Sequence, residues 1–157
     1  FVIVLMVGTF ITIINQTLLV TALPRIMQDL GITANNAQWL ITAFMLISGV
    51  MIPISGFLFN QIANRSLFFM AIGSFALGTL VCAFSTTFPT LLIGRIIQAI
   101  GTGLMIPLMQ TLIFLIFPAD RRGEAMGLVG IVIAFSPAIG PTLSGWIVDM
   151  YDWHYLF

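Results

Sequence analysis

Polar and apolar positions divide the chain into five long apolar runs separated by short polar breaks. A helix needs about 20 mostly apolar residues to cross a hydrocarbon core. Residues 1–22, 37–59, 66–86, 90–117 and 124–148 each reach that length. Leu23-Pro24 closes the first run, and Arg25 to Asn36 reads as a polar loop. Asn60 to Arg65, Thr87 to Pro89 and Pro118 to Gly123 read as turns. Trp39 marks a membrane interface at the start of the second run. Pro107 is expected to kink the fourth run, and Pro137 and Pro141 to interrupt the fifth. None of the runs alternates apolar and polar at every second residue, as barrel strands do. The pattern predicts an all-α integral membrane protein with five spans.

Helical spacing sorts each run into a lipid face and a bundle face. Gly8, Thr12, Asn15 and Gln16 share an arc of the first run. Gln38, Thr42, Met45, Gly49, Pro53 and Gly56 share one of the second. Arg95, Gln98, Thr102, Met105 and Met109 form a stripe on the fourth. On the fifth, Gly127, Gly130, Ala134, Pro137, Ala138, Pro141, Ser144 and Gly145 line one side. These polar and small faces are expected to point into the bundle, since small residues let helix backbones approach closely in lipid. The fifth-run stripe is open to two readings, passive packing or a seam that bends during transport. The methionines are either ordinary core or an adaptable wall for apolar ligands.

Composition narrows the class. Of 157 residues, 60% are hydrophobic and 6% charged, against roughly 25% charged in soluble domains. That excludes a soluble globular domain, a disordered chain, a basic nucleic-acid binder and a disulfide-stapled module. A signal-peptide reading of residues 1–22 fails, because no basic segment precedes the run and further spans follow. The chain opens inside an apolar run, and Trp153 to Phe157 read like the start of another helix. It is therefore expected to be part of a larger carrier. There is no lysine; Arg65, Arg121 and Arg122 lie in the turns after the second and fourth runs, and only Arg25 lies at the other end. The positive-inside rule puts those turns and the amino end in the cytoplasm.

Arg95 is the one charge well inside a run, about 10 Å past its mouth at 1.5 Å per residue. Such an arginine costs a few kcal/mol unless it is paired or wetted. Two readings stand: a side chain that snorkels to the interface, or one wall of a cavity continued by Gln98, Thr102, Met105 and Met109. Asn15 lies at matching depth on the first run and is the partner to test. Asp29, Asp120, Glu124, Asp149 and Asp152 all fall at run ends or in turns, so no carboxylate lies mid-membrane. Cys82 is a solitary packing residue and His154 a headgroup-level side chain. No catalytic constellation, metal-ligand set or phosphate loop with its lysine is present, so no enzyme activity or cofactor is expected.

Four stretches resemble the major facilitator superfamily, and within it the drug:proton antiporters usually drawn with fourteen spans. "NQTLLVTALP" (Asn15 to Pro24) is similar to the family's "LDxTIVNVALP", with Thr17, Ala22, Leu23 and Pro24 in place and Asn15 where the family has Asp. The Asn-Gln-Thr wording resembles a Gram-positive multidrug and lincomycin-type exporter branch. "GFLFNQIANRSLFF" sits where the superfamily has its loop "GxLaDrxGrkxxl", with Gly56, Leu58 and Arg65 matching and Asn60 replacing Asp. "GRIIQAIGTG" resembles "RxxqGxg" through Arg95, Gln98 and Gly101. Gly127, Gly140, Pro141 and Gly145 follow the antiporter signature, with Ser136 and Ser144 for two of its glycines.

The resemblance implies the first five helices of an amino-terminal six-helix bundle, with a central cavity opened alternately to either side. It implies a multi-pass plasma-membrane efflux carrier that exchanges protons for amphipathic drugs. Arg95, Gln98, Asn15, Gln16, Thr12 and Met105 would serve substrate or proton coupling. Gly127, Gly140, Pro141 and Gly145 would pack the antiporter seam, and Asn60 and Arg65 would belong to a cytoplasmic loop. The bilayer, an amphipathic substrate, protons and the remaining spans are the implied partners. A proton-coupled importer of a small solute and a non-transporting membrane subunit are the alternatives.

Overall fold

The computed structural model describes residues 2–157, with the side chain of Val2 left aside. Five helices follow in order: α1 (Val2–Leu30), α2 (Ala34–Gln61), α3 (Asn64–Ala83), α4 (Phe88–Ile116) and α5 (Arg122–Met150). A short 3-10 turn, Trp153–Leu156, comes last. All five helices are long and apolar enough to cross a membrane by length and composition.

The polar loop expected over Arg25–Asn36 is mostly helix. α1 runs through Pro24 and ends at Leu30. A proline inside a helix removes one backbone donor, a loss that surrounding groups absorb, and Arg25 pairs with Asp29 one turn on at 3.8 Å. Gly31 then stops the helix at φ +62°, and the Ile32 N–H reaches back to the Met27 carbonyl at 3.1 Å. This is a Schellman ending. Thr33 caps α2 by accepting from the Asn36 N–H at 3.3 Å, so the connection is only three residues long. The fifth helix is likewise unbroken at Pro137 and Pro141, and the fourth is helical across Pro107.

α4 is the hub and touches all four other helices. It is closest to α3, because both carry small residues at the crossing. A methyl added at Gly78 would stand 2.5 Å from the Gln98 amide nitrogen and 2.6 Å from the Gly94 carbonyl. Hydroxyls supply interhelical bonds where lipid offers no water: Ser74 Oγ to the Ile97 carbonyl at 2.8 Å, and Ser144 Oγ to the Leu18 carbonyl at 3.0 Å. Beyond α4, Arg122 folds back over its end and donates to the carbonyls of Phe117 and Phe114 at 3.1 and 2.8 Å. Two orphan carbonyls of the helix terminus are thereby satisfied.

Two of the expected bundle faces point elsewhere. α2 buries Ala37, Leu40, Phe44 and Ser55, while Gln38, Thr42, Met45, Gly49, Pro53 and Gly56 are exposed. α5 buries Ala125, Val129, Ser136, Gly140 and Ser144. Gly127, Gly130, Ala134, Pro137, Ala138 and Pro141 are exposed, and no atom lies within 4 Å of a methyl built at Gly127, Gly130 or Gly145. On α2, Ser48 and Met51 join the helix's buried residues in the contact with α4, Ser48 Oγ donating to the Ala99 carbonyl at 3.3 Å and a methyl at Gly103 standing 2.5 Å from Met51 Cβ. The α2 stripe and most of the α5 stripe are left outside the five-helix unit, while Ser144 of the α5 stripe is buried against α1.

Candidate functional site

The α4 stripe is the most buried surface of the molecule. Arg95 and Gln98 are 0% exposed, and Thr102, Met105 and Met109 are buried below them. Helical spacing stacks these side chains on one face, and the crossing of α1 over α4 closes it. Thr12 and Asn15 of α1 are buried against that stripe. Thr12 Oγ1 donates to its own Gly8 carbonyl at 2.8 Å and lies 3.7 Å from the Met105 sulfur. Thr9 approaches the Met109 sulfur at 3.8 Å.

Arg95 does not snorkel. Its Nη1 donates to Asn15 Oδ1 at 3.1 Å and to Gln98 Oε1 at 2.8 Å. The guanidinium carbon sits 4.2 Å from the centre of the Phe44 ring, in cation–π contact. Gln98 Nε2 passes the network on to Thr79 Oγ1 at 2.8 Å. Asn15 Nδ2 donates to the Leu156 carbonyl at 3.0 Å. One polar cluster thus joins α1, α3, α4 and the terminal 3-10 turn, with α2 covering it through Phe44.

The cluster is electrically unbalanced. Arg95 forms no ion pair among the described residues, since the pairs present are Arg25–Asp29 and His154–Asp152. A buried cation with only dipoles and a π face around it is held at a cost of several kcal/mol. Its Nε and Nη2 are buried and have no hydrogen-bond partner among the described residues. That pair forms one edge of the guanidinium fork, the geometry that engages a planar carboxylate with two parallel bonds. That edge is unpaired and shut off from solvent.

The other expected site residues scatter. Gln16 is half-buried beside Asn15 but makes no bond to the cluster. Gly140 packs tightly, with a built methyl 2.5 Å from Thr17 Cγ2. Gly127 and Pro141 are exposed, and Gly145 is partly so. Asn60 lies in the last turn of α2, its Nδ2 on the Gly56 carbonyl at 3.3 Å, and Arg65 lies over Phe69 at 5.9 Å. Phe44, Thr79 and the Leu156 carbonyl are members of the cluster that sequence reasoning missed. Phe44 and Thr79 read as ordinary span residues, and a backbone carbonyl leaves no trace in a sequence.

The chain matches the model of the Major Facilitator Superfamily over residues 5–157. It belongs to that superfamily. Members of the Major Facilitator Superfamily are multi-pass membrane transporters, not enzymes. The chain is 55% identical over 154 residues to the MFS-type transporter YcnB of Bacillus subtilis (strain 168), a match spanning 98% of this chain and 33% of that protein. It is 44% identical over 153 residues to the lincomycin resistance protein LmrB of the same organism, spanning 98% and 32%. It is 32% identical over 155 residues to the probable multidrug resistance protein EmrY of Escherichia coli (strain K12), spanning 99% and 30%. The crystal structure of a D-xylose-proton symporter shares the fold, with a TM-score of 0.79 at 18% identity over 99% of this chain and 43% of that one. The chain thus spans about a third of the length of the curated relatives it matches.

Proposed function

We propose that this chain is the amino-terminal part of a proton-coupled efflux carrier that exports amphipathic compounds by alternating access across the plasma membrane. The observation that carries the reading is the sealed cluster of Arg95, Asn15 and Gln98, a positive charge with one unpaired fork edge deep in a helical bundle. A charge kept there at such cost is functional by default. Arginine stays protonated under working conditions, so it is not itself the proton carrier. It would hold an acid supplied by the rest of the carrier, favouring that acid's ionised form until substrate or proton displaces it. The relatives named for lincomycin and multidrug resistance support export over import. Arg65, Arg121 and Arg122 would face the cytoplasm together with the amino end. The exposed small stripe of α5 and the polar face of α2 would receive the remaining spans. The test is drug-driven proton movement in vesicles holding the full-length carrier. Drug accumulation or efflux without any proton movement would remove the coupling part of this reading.

A further inference from the structure

The terminal 3-10 turn is held in an unusual way. Asp152 caps it, accepting from the His154 N–H at 3.1 Å. The His154 ring bridges two further acceptors: Nδ1 lies 2.6 Å from Asp152 Oδ1, and Nε2 lies 2.7 Å from the Ser85 carbonyl in the α3–α4 connection. A backbone carbonyl can only accept. The Asp152 carboxyl is held below the usual carboxylate range, first by the hydrogen bond from the His154 side chain and then by that from its backbone, so it too only accepts. A neutral imidazole carries one N–H, and an imidazolium two. In either neutral tautomer one ring nitrogen would turn a lone pair toward an oxygen lone pair at under 3 Å. Both contacts are hydrogen bonds at once only when both ring nitrogens carry a proton. Trp153 stacks on that ring at 3.7 Å and 25°.

The surroundings add charge from one helix. Arg25 and Asp29 of α1 line the same cavity of about 500 Å³, with Asp152, His154 and Thr86, and they pair with each other at 3.8 Å. Asp149 ends α5 and is exposed. The only charged residues of α3 and α4 are Arg65, at the far end, and the buried Arg95. So Asp152 is the one carboxylate bonded to the ring among the described residues.

The turn that this ring secures reaches the buried cluster. Trp153 and Leu156 are buried with Leu18, Leu19, Ile26, Cys82 and Leu91. The carbonyl of Leu156, two residues past His154, takes the Asn15 Nδ2 bond at 3.0 Å, and Asn15 in turn receives Arg95.

We infer that His154 is a proton-operated latch at the end of the bundle opposite Arg65, Arg121 and Arg122. Its protonated ring ties the Trp153–Leu156 turn to the Ser85 carbonyl and thereby sets Asn15 against Arg95. Loss of the ring proton breaks one of the two bonds and frees the turn. His154 acts through Asn15 and is a positioning residue. The latch depends on the turn's own geometry and not on what the carrier transports.

The experiment uses the purified full-length carrier in nanodiscs, where both faces meet the same solution. Native cysteines are replaced and a single reporter is introduced by Leu156→Cys, with Asn35→Cys, at an exposed position, as reference. Maleimide labelling is measured at about pH 5 and about pH 8, the range that brackets an ordinary histidine. The ratio of reporter to reference rates removes the intrinsic thiol pH dependence. With His154 present the ratio should rise about tenfold toward pH 8, the change expected when a hydrogen bond to a charged group is lost. His154→Leu should give a high ratio at both pH values, and His154→Arg, which keeps its charge and several donors, a low ratio at both. A ratio constant within about twofold, or a pH step that survives in His154→Leu, overturns the latch. If Leu156→Cys does not yield a monodisperse carrier, native Cys82, buried in the same cluster, is read in the same way.

Discussion

Asn15 Oδ1 accepts a hydrogen bond from Arg95 Nη1 at 3.1 Å, joining residues 80 positions apart in the chain. The other end of the same amide donates to the Leu156 carbonyl. Asn15 is thus a two-sided connector, and an apolar replacement orphans polar groups on both sides. Asn15→Leu is expected to destabilise the full-length carrier by about 2 kcal/mol or more. Thermal unfolding in detergent checks this, and a Tm equal to that of the parent protein would contradict it.

The α3–α4 crossing rests on backbone contact. At Gly78 a methyl would meet the Gln98 amide and the Gly94 carbonyl, neither of which is a flexible side-chain end. Gly78→Ala should separate the two helices and cost about 1–3 kcal/mol. It should also disturb Gln98, and with it the bond to Arg95. The measurement is again Tm, paired with substrate binding.

On α5 the glycines divide. Gly140 lies against Thr17, while Gly145 has open space in this five-helix unit. Gly140→Ala should lower stability by about 1–3 kcal/mol. Gly145→Leu should leave insertion and Tm of an isolated residues 1–157 segment unchanged, yet impair transport by the full-length carrier by crowding the helices that meet this stripe. Normal resistance in cells producing a well-expressed Gly145→Leu carrier would reduce the stripe to passive surface.

The proposed topology rests on three arginines against one. Cysteines introduced by Asn64→Cys and Asn35→Cys, in a Cys82→Ser background, should label from opposite sides of intact cells, with Asn35→Cys reached from outside. External labelling at position 64 would invert the assignment.

The number and rough placement of the helices were legible because lipid demands long apolar stretches. Their ends were less so. Arg25 and Asp29 look like loop residues, but on a helix that outruns the hydrocarbon core they pair one turn apart. Helix faces were legible only where the helix is surrounded: α4 touches four neighbours, and its polar stripe is its core. On α2 and α5 a polar or small face looks the same in sequence whether it packs inside five helices or awaits others. His154 read as an isolated side chain because its partner Ser85 is 69 positions away and contributes a carbonyl. The Arg95–Asn15 pair was within reach, since equal depth on two spans permits contact, while Phe44 and Thr79 carried no such signal.

Drug-induced proton release from vesicles containing the full-length carrier shows whether Arg95 couples proton and substrate movement. Arg95→Ala should insert normally and lose the proton signal. Arg95→Lys keeps the charge but loses the planar fork with its unpaired edge, so it should retain only part of the exchange. If Arg95→Ala exchanges drug for protons at the parent rate, the buried guanidinium is structural only and the coupling site lies elsewhere in the carrier.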